Sequence, residues 1–221
     1  MIFGIVAGQS SRNVDASPYP NSLAVMDFIT GDYWIGQTRV GPGDVIDQPS
    51  FIGAAGLQIV DTQPNPTHII GQFLALLISM NWTMVLEWAD VFAGSQSLPI
   101  WIADTSTAAI EQTFLESNET SIDVYDQPIP GTDRQVTKTG LAAMPGTRRA
   151  AITRVNSKLA VSVNGGAVTS DTAGTGAVTG YDAASFGGRP DSSAIQLDVN
   201  IRRLILYAPQ ADALLPSLSA I

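Results

Sequence analysis

Lys158-Leu159-Ala160-Val161-Ser162-Val163, followed at once by Asn164-Gly165-Gly166, is a β-prone run that stops at a turn signal. The Asn-Gly step supplies the positive φ that a tight hairpin requires, so residues 167–170 are predicted to return as the partner strand. Upstream, residues 147–155 lead into the same hairpin. Downstream, residues 171–194 are rich in Gly, Ala, Ser, Thr and Asp and read as loops around one short strand, Ala184-Ser185-Phe186-Gly187. Residues 197–207 form a long strand, with Val199, Ile201, Arg203, Ile205 and Tyr207 predicted on one face and Leu204 and Leu206 on the other.

The same rhythm extends through the first half. Leu23-Ala24-Val25-Met26-Asp27-Phe28 and Tyr33-Trp34-Ile35 flank the turn signal Thr30-Gly31-Asp32, and Leu57-Gln58-Ile59-Val60 reads as a strand. From Asn81 the apolar period is two. Trp82, Met84, Leu86 and Trp88 fall on one face, with Thr83, Val85 and Glu87 on the other, which predicts a half-buried strand in an antiparallel sheet. Strand-sized pieces continue at 99–103, 109–115 and 120–125, and Val136 begins another after a loop. Residues 64–80 are the exception: Thr67 is a plausible N-cap, and Phe73, Leu74, Leu76, Leu77 and Met80 recur at helical spacing, which predicts one short helix. Residues 211–218 can make one further helical turn, broken by Pro216.

About a dozen strands, one helix and no βαβ alternation predict an all-β fold, a two-sheet antiparallel jelly-roll sandwich. Residues 1–22 read as an N-terminal arm, and 23–221 as a single domain.

Composition removes several function classes. The 221 residues contain no Cys, so disulfides and thiolate metal sites are excluded. The formal net charge of −9 would repel phosphate, so no nucleic acid is expected as partner. The longest strongly apolar stretch, residues 69–80, is too short to span a bilayer about 30 Å thick as a helix, and no membrane insertion is expected.

The order Arg148-Arg149-Ala150-Ala151-Ile152-Thr153-Arg154, Lys158 to Gly165, Ser185-Phe186-Gly187-Gly188 and Ile201-Arg202-Arg203-Leu204-Ile205-Leu206-Tyr207 resembles the concanavalin A-like, laminin-G-type jelly roll. The likeness is sharpest over 147–215. Over 23–125, Ala24 to Gly36 and Asn81 to Trp88 are similar to the opening strands of such domains in bacteriophage structural proteins. The resemblance implies a non-enzymatic virion structural or attachment protein, in a tail or capsid decoration. Its implied partners are other virion proteins and host surface polysaccharide, in a homo-oligomer. A cellular carbohydrate-binding module is the alternative, and a glycoside hydrolase of the same fold a third reading.

No catalytic residue, metal ligand or cofactor is assigned. Glucanases of this fold carry Glu-x-Asp-x-x-Glu on one strand. Here Glu119 and Asp123 have the i, i+4 spacing, but Ser121 and Tyr125 occupy the intervening and following positions. Asp171, Asp182, Asp191 and Asp198 lie in or beside loops without calcium-loop spacing and read as turn caps. His68 has no second His. Trp82 and Trp88 read as core. Trp34, Trp101 and Tyr125 are less clearly patterned and can line a concave sheet as a sugar-stacking platform, although core packing is the commoner role of such rings. Gly165-Gly166 and Gly187-Gly188 are turn and packing glycines.

Overall fold

In a computed structural model, which describes residues 17–60, 65–78, 81–91, 96–106, 111–128, 131–143, 145–155, 158–175, 180–190 and 198–221, Asn164 and Gly165 take φ values of 50° and 73°. The hairpin forms as its sequence dictates. The return strand starts later than predicted because the turn is prolonged: the Gly166 N–H bonds to the Val163 carbonyl at 2.9 Å.

In chain order the strands are β1 (Ser22–Asp27), β2 (Asp32–Ile35), β3 (Thr38–Arg39), β4 (Ile52–Gly53), β5 (Gly56–Ile59), β6 (Thr67–His68), β7 (Trp82–Asp90), β8 (Ser97–Ala103), β9 (Gln112–Ser117), β10 (Ile122–Gln127), β11 (Arg134–Lys138), β12 (Gly146–Val155), β13 (Lys158–Val163), β14 (Thr169–Asp171), β15 (Ala183–Phe186) and β16 (Val199–Tyr207). They form two antiparallel sheets. One runs β14-β13-β12-β7-β16-β1-β2-β3 with β5 and β4 attached through β16, and the other runs β11-β10-β9-β8-β15-β6. The main apolar core lies between the sheets and includes Trp82, Trp88, Leu86, Ile102, Leu115, Val124, Ile152, Phe186 and Leu204. This is the predicted two-sheet jelly roll. Residues 1–16 of the N-terminal arm lie outside the described residues, and Ser22, the last residue assigned to the arm, already pairs with Tyr207.

The structure corrects three local expectations. The helix, α1 (Gly71–Leu77), is shorter than the 64–80 window, and Ile70 rather than Thr67 precedes it, with no side-chain cap. Thr67 and His68 instead pair with Phe186 and Ser185 as strand residues, because the edge of the six-stranded sheet satisfies their backbone. Strand β7 is buried on both faces rather than one. A second apolar layer of Val25, Trp34, Val85, Ala151, Ile205 and Tyr207 covers its outer side beneath Leu215, Leu218 and Tyr19. Leu215 opens the terminal helix α2 (Leu215–Ser219), where Pro216 sits in the first turn and its missing N–H sacrifices no bond. Finally, the β16 register shifts between Ile201 and Arg203, so Arg202 is a bulge. One extra residue reverses the alternation: Val199, Ile201, Leu204 and Leu206 face the core, while Ile205 and Tyr207 join the outer layer.

Two buried polar clusters tie the sheets together. Asp126 (1% exposed) accepts from Arg134 Nη1 at 2.6 Å, Arg154 Nε at 2.8 Å, Thr113 Oγ1 at 2.8 Å and Tyr181 Oη at 3.2 Å. Arg154 comes from the opposite sheet, and its guanidinium lies 5.1 Å from the Tyr181 ring centroid. Some strands away, Asp90 accepts from Ser97, Ser117 and the Trp88 indole, and Arg148 donates to Ser117 and to the carbonyls of Asn118, Glu119 and Ser121.

Burial would raise the Asp126 carboxyl, but the Arg154 charge and the bonds from Arg154, Thr113 and Arg134 outweigh it and hold the group below the ordinary range. A carboxyl lowered on folding stabilises the protein above the unfolded-chain value near pH 4, and that contribution is lost as pH falls through the folded value. We predict that Asp126→Asn costs about 3–5 kcal/mol in urea unfolding at pH 7, because two buried guanidinium groups lose this carboxylate. The variant will differ less from the parent protein as the pH falls below about 4.

Candidate functional site

The outer face of the six-stranded sheet carries an ordered row of side chains. Strand period places Ile122, Val124 and Asp126 of β10 inward, so Asp123, Tyr125 and Gln127 face outward. Register then aligns one residue from each strand: His68, Ser185, Trp101, Phe114, Tyr125 and Gln135 are successive cross-strand partners. Trp101 and Phe114 stack at 4.6 Å between centroids and 24° between planes, and Phe114 and Tyr125 at 4.6 Å and 19°. This spacing is close to that of the strands themselves, so the three rings stand side by side on the sheet as a rib. Each stacked pair contributes about 0.5–1.5 kcal/mol beyond burial. Phe114 is covered on both sides by its neighbours, whereas Trp101 and Tyr125 remain partly exposed and, among the described residues, each has one stacked partner.

Polar rows flank the rib. On one side Trp101 Nε1 donates to Gln112 Oε1 at 3.1 Å, Gln112 donates to Gln127, and Gln127 Nε2 donates to Asp133 at 2.9 Å. On the other, Glu116, Asp123 and Thr137 are cross-strand partners. Asp123 accepts from Thr137 at 2.5 Å and from Gln135 and Asn118 at 3.2 Å each, and Gln135 also donates to Tyr125 Oη at 3.1 Å. Burial and the neighbouring Asp123 charge raise the Glu116 carboxyl despite a hydrogen bond from Gln96. Burial, with the charges of Glu116 and Asp123, likewise raises the Tyr125 hydroxyl. Such a face offers aromatic surface, donors and acceptors, the combination that holds a polyhydroxylated ligand.

The residues singled out in the sequence separate clearly. Trp101 and Tyr125 belong to the rib, while Trp82 and Trp88 are core. Trp34 lies in the outer layer of the other sheet. Asp123 is on the face, but Glu119 is not its strand neighbour: it sits in the β9–β10 turn, where its carbonyl accepts Arg148. Asp171 caps its own turn by accepting the Ala173 N–H and also accepts the Gln135 N–H, whereas Asp182 caps no local turn and instead accepts the backbone N–H and the hydroxyl of the distant Thr105. Asp198 begins the approach to β16, and Asp191 lies outside the described residues. Among the described residues no three His, Cys, Asp or Glu side chains are grouped to hold a metal ion. His68 contacts Asp47 Oδ2 through Nδ1 at 2.8 Å and the Pro190 carbonyl through Nε2 at 3.1 Å. Gly187, at φ 82°, lies so close to Ile59 that a Cβ would collide with it. A recess of about 380 Å³ lined by Leu23, Ile35, Val40 and Leu76 lies near α1, on the other sheet. No helix among the described residues is long and apolar enough to cross a membrane.

Phe114, Gln112, Gln127, Gln135 and Thr137 escaped the sequence reading. Their signal was present as alternation, Gln112-x-Phe114-x-Glu116 and Asp123-x-Tyr125-x-Gln127, with polar and aromatic residues at every outward position. Trp34, Trp82 and Trp88 are buried and Trp101 is not. Acrylamide should therefore quench one class of tryptophan fluorescence, and Trp101→Phe should abolish that accessible class while leaving the unfolding transition in place.

Neither a protein-family model nor a curated protein matches the chain. Among solved structures it is similar to the CBM40 domain of the Ruminococcus gnavus IT-sialidase bound to α2,3-sialyllactose, with TM-score 0.52 and 12% identity over 64% of this chain and 83% of that one. It is also similar to the NanB sialidase of Streptococcus pneumoniae (TM-score 0.53, 17% identity, 74% of this chain and 27% of that one). The leech intramolecular trans-sialidase gives TM-score 0.52 and 12% identity over 64% of this chain and 23% of that one. The chain thus spans about a quarter of each of these two enzymes. At such identities the likeness is one of fold, and the fold is a concanavalin A-like jelly roll.

Proposed function

We propose that the outer face of the six-stranded sheet binds carbohydrate, and that the protein acts by this binding without cleaving the glycan. The observation that carries the reading is the Trp101–Phe114–Tyr125 rib between two polar rows. Partly exposed aromatic faces take up the C–H faces of pyranose rings, while Gln127, Gln135 and Thr137 supply partners for hydroxyl groups. The similar CBM40 domain, itself bound to α2,3-sialyllactose, supports the reading.

The placement of the acids supports binding over hydrolysis. Glycosidases set two carboxyl groups on opposite sides of the scissile bond. Here Glu116 and Asp123 are direct cross-strand neighbours on one side of the rib. Across it the strand residues are the amides Gln112 and Gln127. Asp123 is further committed to three donors of the protein itself.

The fuller reading is a virion attachment protein that, as a homo-oligomer, meets other virion proteins and host surface polysaccharide. It rests on the bacteriophage resemblance of residues 23–125, and a chain absent from purified particles overturns it. For the binding itself, glycan-array or affinity-electrophoresis hits should be weakened about tenfold or more, about 1.4 kcal/mol, by Trp101→Ala or Tyr125→Ala. Thermal unfolding should stay cooperative. Release of reducing sugar that Asp123→Asn abolishes would replace this reading with the hydrolase.

A further inference from the structure

The β12–β13 hairpin turn carries a reactive pair. Among the asparagines of the chain, Asn164 alone is followed by glycine. A glycine sets no Cβ beside its own nitrogen, so that nitrogen can approach the preceding carboxamide. Such a pair is chemically labile in a loose chain, through attack of the backbone nitrogen on the side-chain carbonyl carbon. Asn164 and Gly165 are both exposed, so water reaches the carboxamide.

In the folded hairpin both reacting groups are held. Asn164 Oδ1 accepts the Arg149 N–H at 2.8 Å, and the Asn164 N–H reaches the Arg149 carbonyl at 2.9 Å. The Gly165 N–H donates to Ser219 Oγ of α2 at 3.1 Å. Ser219 is 0% exposed and is fixed in its turn. Ser162 Oγ gives its proton to the Gly166 carbonyl at 2.6 Å, so across 2.9 Å it accepts the proton of Ser219. Arg149 Nη1 adds a bond to the Ala220 carbonyl at 3.1 Å, and Leu215 anchors α2 in the outer apolar layer. The helix therefore occupies the attacking nitrogen while the group under attack stays open to solvent.

We infer that Asn164 is a deamidation site gated by α2. When the helix lifts, Gly165 N bonds to Asn164 Cγ and the Cγ–Nδ2 bond breaks. Nδ2 leaves as ammonia with the proton that Gly165 N gives up. Water then opens the succinimide at one carbonyl or the other, giving aspartate or isoaspartate. Aspartate keeps an oxygen for the Arg149 N–H and tolerates a positive φ. Isoaspartate routes the main chain through the side-chain carbon and lengthens the turn by a methylene. The bonds to Arg149 and Ser219 are then lost together, and α2 stays off. The site belongs to the ten-stranded sheet, so it stands apart from glycan binding on the other one.

Incubation of the whole protein at mildly alkaline pH, with peptide mapping of residue 164 and isoaspartyl methyltransferase labelling, tests this. The chain unfolded in guanidinium sets the ungated rate, and the folded protein should fall at least about tenfold below it. Ser219→Ala should speed the reaction about two- to tenfold, the change in open population that one lost hydrogen bond produces. Leu215→Ala should speed it further. Ser217→Ala, on the exposed side of the same helix, should leave the rate unchanged. Amide hydrogen exchange at Gly165 should rise in the same order while β12 and β13 stay protected. A folded rate equal to the unfolded one, or variant rates equal to the parent's, would overturn the inference. So would an acceleration that comes only with loss of protection in β12 and β13, since general unfolding would then be the gate.

Discussion

The buried carboxylate of Asp126 is the group on which the placement of both layers depends. A charge with 1% exposure is tolerable only with its partners, and two of them are guanidinium groups, one from β11 and one from β12 in the facing sheet. That pairing fixes how β10 lies across the sandwich. Because strand side chains alternate, turning Asp126 inward turns Tyr125 and Gln127 outward. Thr113, which donates to the same carboxylate, does likewise for Gln112 and Phe114. The aromatic rib is therefore held in place from beneath, by a cluster that no ligand on the outer face touches.

The two sheets differ in what covers them. The outer side of the ten-stranded sheet is closed by α2, by Tyr19 and by a polar network, in which Arg203 bonds both Asp27 and Glu87 and Arg202 bonds Glu87. There, burial raises the Asp27 carboxyl, while the Tyr19 hydroxyl, the Thr30 backbone and Arg203 lower it by more. This leaves the six-stranded sheet as the layer whose outer strand positions carry aromatic and hydrogen-bonding groups in register. A sandwich of this kind separates its tasks: the inner faces supply stability, and the outer positions can vary without disturbing them.

That separation also explains why sequence comparison is nearly silent while the fold is plain. A jelly roll needs apolar residues at alternate positions and turns at the right intervals, which many sequences satisfy. The CBM40 domain shares the architecture at 12% identity. An outward position can change its chemistry without disturbing the core beneath it, so likeness of fold says nothing of what the outer face does.

Residue order alone determined the class of fold, because period-two alternation and the Asn164-Gly165 turn are local properties that depend on no distant contact. It also marked Trp82 and Trp88 as core, while Trp34, Trp101 and Tyr125 stayed open between core packing and an exposed face. What only the tertiary structure decided was set by pairing between remote segments. Thr67 and His68 became strand because β15 offered them an edge. The bulge at Arg202 sent Leu204 rather than Arg203 to the core. The rib itself joins residues 101, 114 and 125 from three strands. Their alignment follows from hydrogen-bonded register, which a linear sequence specifies only through the whole set of contacts that the folded sheets make at once.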